Sequence, residues 1–147
     1  MAVTVIIRGK EFPLCLTVAA LDVLNEKCGG ISGISDFLRG YPADTAGMDK
    51  EQAALEKAEA ASRAKINNAW MLGLLIQEGE ENRRQEAYFT DGDITRRNVP
   101  GPEDMIHLLT PGQIEEYKLS VVLAVNESMK RTIETVPSKN VYQAGER

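Results

Sequence analysis

The 147-residue sequence predicts a mainly α fold: a helical domain with a long central helix and a second long C-terminal helix, preceded by a short N-terminal β-hairpin. Three observations predict it. Residues 49–65 are rich in Ala, Glu and Lys and lead into Ala69-Trp70-Met71-Leu72-Gly73-Leu74-Leu75-Ile76, which has no polar side chain. Thr110-Pro111 pairs a capping hydroxyl with a proline at a first helical position, and an apolar periodicity follows it. At the other end, Val3–Ile7 is a β-branched run closed by a glycine-containing turn. One domain over residues 1–136, with the hairpin at 3–16, and a loose tail at 137–147 is the organisation expected.

Val3–Ile7 and Phe12–Leu16 read as two strands joined at Gly9-Lys10. Pro13 has no amide hydrogen and belongs at an edge. An isolated hairpin is marginal, so this one lies on the helices or pairs with another copy of the chain. Thr17 is a capping candidate for a helix that buries Val18, Leu21, Leu24 and Cys28 and stops at Gly29-Gly30. A short helix at Asp36-Phe37-Leu38 and a loop from Gly40 to Gly47 follow.

The central helix is expected from Lys50 to Gln77, about 42 Å at about 1.5 Å per residue. Leu55, Ala58, Ser62, Ile66, Ala69, Gly73 and Ile76 fall at helical steps and form its early apolar stripe. By Trp70 the stripe widens to every side, which requires neighbours all round. Gly73 costs about 1 kcal/mol against alanine inside a helix, so another backbone is expected to pack closely there. Glu80–Glu86 is polar and either extends the helix on a solvated face or forms a separate arm. Asp91-Gly92-Asp93 is a turn, 90–102 a linker, and Glu103–Leu109 a short helix. The last helix presents Ile114, Tyr117, Leu119, Val121, Val122, Val125 and Met129 and runs to about Thr135, where Val136-Pro137 ends it.

The chemistry-bearing residues form no constellation. His107, the single histidine, sits between Ile106 and Leu108 and reads as a half-exposed helix residue. Asp91-Gly92-Asp93 fails as a calcium loop, since the sixth place is Arg96 and the twelfth is Pro102. Glu80-Glu81 and Glu115-Glu116 diverge by about 100° on a helix and read as solvated edges. Glu59 and Arg63 are spaced as an ion pair, and Cys15 and Cys28 as two buried free thiols. There is no phosphate-binding glycine loop. A formal charge of -5 gives no electrostatic reason to hold nucleic acid. The apolar run is shorter than the roughly 20 residues of a membrane span, and Met1–Arg8 lacks the pattern of a signal peptide. The expectation is a cytoplasmic protein that is not an enzyme, with no catalytic residue, no metal site, no cofactor, no nucleic acid and no membrane.

Ile6-Ile7-Arg8-Gly9-Lys10-Glu11-Phe12-Pro13-Leu14, followed by Thr17 to Gly30 with its terminal Gly29-Gly30, resembles the N-terminal half of the tail assembly chaperones of long-tailed bacteriophages. Trp70 to Gly79 is similar to the family's central helix, and the helix opened by Thr110-Pro111 fits its last. The resemblance spans about Val3 to Met129; the linker at 90–102 departs from it. It implies a mainly helical, non-enzymatic viral protein of tail morphogenesis that binds the tape measure protein and helps bring the major tail tube protein to it. It also implies work in the host bacterial cytoplasm, from a phage or prophage, and absence from the mature virion. The alternative is a structural tail or head-to-tail connector protein retained in the virion. Expected partner-binding residues, chosen as those hardest to bury in one monomer, are Val3, Val5 and Ile7 on the hairpin and Phe37, Tyr41, Tyr88 and Phe89. The hairpin edge and the apolar excess around Trp70 also permit a homo-oligomer.

Overall fold

The structure, a computed structural model, describes residues 3–131. It contains a β-hairpin, β1 (Val3–Ile7) and β2 (Lys10–Leu14), and five α-helices: α1 (Leu21–Cys28), α2 (Ile34–Leu38), α3 (Lys50–Thr90), α4 (Pro102–Leu108) and α5 (Pro111–Ser128). The fold class is that read from the sequence. The expected stop at Val136-Pro137 and the 137–147 tail lie outside the described residues. Within them, α5 ends at Ser128 rather than near Thr135.

α3 has 41 residues, about 60 Å at about 1.5 Å per residue. Asp49 caps it, its carboxylate accepting from the Gln52 amide at 2.8 Å. Everything from Asn68 to Ile76 is buried, clothed by the hairpin, α2, α4 and α5. Trp70 meets Phe37 edge-on at 5.7 Å and is covered by the Lys27 ammonium at 5.1 Å. The close approach expected at Gly73 is present: a Cβ there would lie 2.4 Å from Pro102 Cα. Gly79 does the same for the hairpin, since its Cβ would lie 1.9 Å from the Pro13 carbonyl oxygen. The Cys15 amide then donates to the Leu75 carbonyl at 3.2 Å.

The early stripe of α3 differs from the sequence reading. Leu55 and Ile66 are exposed, as are Ala58 and Ser62, and the helix buries Ala60, Ala64 and Asn68 instead. The reason is a backbone contact. Gly40 sits directly on α3, where a Cβ would be 2.0 Å from the Ala60 carbonyl oxygen, and only small residues permit that approach. α2 is too short to satisfy its last carbonyls internally, and α3 supplies the donors. Asn67 Nδ2 donates to Phe37 O at 2.8 Å, Asn68 Nδ2 to Leu38 O at 2.9 Å and Arg63 Nε to Gly40 O at 2.8 Å. Arg63 pairs with Glu56 at 3.1 Å rather than with Glu59.

The hairpin turn is Arg8-Gly9, with φ of 54° and 80°, the two left-handed residues of a two-residue hairpin loop. Its register pairs Val3 with Leu14, Val5 with Phe12 and Ile7 with Lys10. Alternation turns Val5, Ile7, Phe12 and Leu14 onto α3 and α5 and leaves Thr4 and Ile6 outside. Thr17 does not cap a helix; its hydroxyl donates to the Glu78 carboxylate. Val18, expected on the buried face, is 84% exposed because a single 3-10 turn over Val18–Ala20 precedes α1 and buries Ala20 in its place.

Candidate partner-binding surface

The seven residues expected to bind a partner differ in their exposure. Val5, Ile7 and Phe37 are core residues and are not available to one. The pleat aims both hairpin residues inward, and Phe37 is held edge-on between Trp70 and Tyr41. Val3 is half-buried. Tyr41, Tyr88 and Phe89 are exposed, Phe89 at 86%. Tyr41 takes a left-handed φ of 52° just after α2, whereas Tyr88 and Phe89 close the last turn of α3. These residues therefore lie on different elements and make no single surface. The apolar excess around Trp70 is absorbed by the chain's own segments.

An apolar groove that the sequence reading missed lies between α2 and α5. Ile31, Ile34 and Leu38 form one wall and Val122, Val125 and Met129 the other, around about 350 Å³. Ser35, Arg39 and Asn126 supply a polar rim. Ile34 and Val125 are buried at the floor, while Ile31, Val122 and Met129 stay exposed along the edges. The size and the lining suit a few apolar side chains presented at helical spacing.

The signal was present in α5 but merged two faces into one. At about 100° per residue, Ile114, Tyr117, Val121, Ala124 and Val125 share the inner side, all buried or half-buried. Leu119, Val122, Leu123 and Met129 point away from it, with Leu119 68% exposed. Ile31 and Leu38 carried no comparable signal, because their helical segments are too short to show a period.

A second cavity, about 490 Å³, runs along Glu80, Glu81, Arg96 and Arg97. Glu80, expected on a solvated edge, is 3% exposed. Its two carboxylate oxygens accept from Arg83 Nε and Nη2 at 2.9 and 2.8 Å, and Oε2 also accepts from the Arg97 amide at 2.7 Å. Arg83 in turn donates to the Asp93 and Thr95 carbonyls at 2.7 and 2.8 Å, and Arg84 to the Ile94 carbonyl at 2.8 Å. Glu81 accepts from Arg84 and Arg96. Segment 91–101 is thus strapped onto α3, which continues through Glu80–Glu86 rather than ending before it. The Arg83 guanidinium, chiefly through its hydrogen bonds, holds the Glu80 carboxyl below its ordinary value despite burial. These paired charges hold the 93–97 backbone against α3.

His107 is exposed, its Nδ1 2.8 Å from the Glu103 carbonyl oxygen. Cys15 and Cys28 are both free, half-buried and buried respectively, and burial raises both thiol pKa values. Among the described residues, no group of three or more His, Cys, Asp or Glu side chains could hold a metal ion. No helix among them is long and apolar enough to cross a membrane. Comparison with models of known families, with curated proteins and with solved structures found no match.

Proposed function

We propose that this chain is a non-enzymatic assembly chaperone that seats an amphipathic helix of a larger apolar partner in the groove between α2 and α5. The observation that carries the reading is the groove itself: two apolar walls facing each other across about 350 Å³, whose edge residues Ile31, Val122 and Met129 the core leaves exposed. Ile31 and Met129 are spread along its open edges, where a client helix would bury them at about 25 cal/mol per Å² of apolar area. Tyr88 and Phe89 offer a second, aromatic contact at the end of α3.

The client proposed here rests on the resemblance at Ile6–Leu14, Thr17–Gly30 and Trp70–Gly79. It is the tape measure protein of a long-tailed bacteriophage, a long helical polymer that needs its apolar stripe covered until major tail tube subunits surround it. Such a chaperone acts in the cytoplasm of the host bacterium and is left out of the finished particle. Co-expression with the tape measure protein of the same virus tests this. The chain should raise the client's soluble fraction and co-purify with it, and Ile31→Asp should abolish both while leaving the fold intact. A client that stays insoluble with the wild-type chain, or an Ile31→Asp variant that works as well, would overturn the reading.

A further inference from the structure

We propose that the outer face of α5 pairs antiparallel with the same face of a second copy of this chain, giving a two-fold dimer. The inner side of α5 already packs on the hairpin and α3, so an ordinary surface helix would be polar on the other side. Instead Leu119, Val122, Asn126 and Met129, three of them apolar, follow at three- and four-residue steps with Leu123 beside Val122, and all five are exposed. That spacing is the seam of a helix pair.

The charges at its ends select the occupant. Glu115 and Glu116, with Lys118, make the start of this face net acidic, and Lys130 and Arg131, with Glu127, make its end net basic. Parallel copies would set acid against acid and base against base. Antiparallel copies set each acidic end beside the other's basic end, which is the self-complementarity a two-fold interface requires. With the axis between Val122 and Leu123, Val122 of one copy meets Leu123 of the other, Leu119 meets Asn126, and Glu116 comes beside Lys130. Glu115 is engaged by Lys65 at 3.1 Å and Lys118 at 3.0 Å within its own chain, so Glu116 makes the contact across the axis. Lys130 already lies 3.0 Å from Glu127 and would reach Glu116 from that position.

A single helix pair is a small interface, below the roughly 1,200 Å² of stable complexes, so the dimer forms and dissociates with concentration. It covers Val122 and Met129, one wall of the groove, and therefore competes with whatever the groove holds.

Sedimentation equilibrium on the full chain tests this without any client, so its outcome is separate from that of co-expression. The mass should rise with concentration from 16.2 kDa toward twice that value. Leu119→Glu with Leu123→Glu should hold it at the monomer with an unchanged circular dichroism spectrum, since both side chains are exposed. Glu116→Lys and Lys130→Glu should each weaken the dimer, and the two together in one chain should restore it, because the pair is only exchanged across the axis. A monomer at every concentration would overturn the proposal, whether another part of the chain then covers the face or nothing does. So would a dimer indifferent to the leucine substitutions, or one that the double charge exchange fails to restore.

Discussion

Replacing Gly73 by alanine sets two effects of opposite sign against each other. Alanine is favoured over glycine within a helix by about 1 kcal/mol, and with no neighbour the variant would be more stable. Here the new methyl would lie 2.4 Å from Pro102 Cα and N and 2.5 Å from Gly101 C. Carbon atoms rest about 3.5–4.0 Å apart, so α4 must retreat by more than an ångström. The obstructing atoms are backbone at the start of a helix and cannot rotate away as a side chain would. Overpacking costs about 1–3 kcal/mol; taking the upper value and subtracting the propensity gain leaves a net loss of about 2 kcal/mol. At about 2–4 °C per kcal/mol for a chain of this size, Tm should fall by about 4–8 °C. The assay is thermal unfolding followed by circular dichroism, beside Gly112→Ala. Gly112 has nothing within 4 Å of a built Cβ and should gain up to about 1 kcal/mol. A Gly73→Ala variant as stable as the parent, or more so, would refute the packing argument.

Three further outcomes follow from the polar contacts and the thiols. Glu80, whose folded pKa lies below the ordinary 4.5, contributes stability that is whole above that value and is lost as pH falls through the folded one. Glu80→Gln should lower the unfolding free energy from urea titration at neutral pH by about 2 kcal/mol for the charge-assisted bonds removed, and flatten the acid limb of a stability-versus-pH curve; an unchanged limb would assign it to other carboxylates. Asn68→Ala strips one donor each from the Leu38 and Ala64 carbonyls and should cost about 1–3 kcal/mol, loosening α2 first in hydrogen exchange. Cys15 and Cys28, with raised pKa values, should react with iodoacetamide far more slowly than a free thiol and approach its rate only in denaturant.

Elements whose cause is local could be read from the sequence. The β-branched run at Val3–Ile7, the cap at Thr110-Pro111 and the all-apolar turns from Ala69 to Ile76 each name their structure from neighbouring residues. Gly73 shows that a costly residue can also report a distant contact. What was illegible depends on segments far apart in the chain. Ala60 and Ala64 are buried because Gly40 lands on them, and periodicity favoured the larger Leu55 and Ile66, which stay outside. Glu80 is buried because the backbone of 93–97 returns to receive Arg83 and Arg84, a closure that a row of charges does not announce. The groove needed Ile31 and Leu38 to meet α5 in space, and α5 itself carried two stripes that read as one. Apolar character alone marks Val5, Ile7 and Phe37 as a docking surface, and the core uses them.

The most direct test of the account is a photo-crosslinking amino acid placed at position 31 on the groove wall and, separately, at position 55 on the exposed side of α3, in cells co-expressing the tape measure protein. Irradiation should give a covalent adduct with the client from position 31 and none from position 55. Adducts from position 55 alone, or from neither position while the two proteins still co-purify, would contradict the groove as the seat of the client.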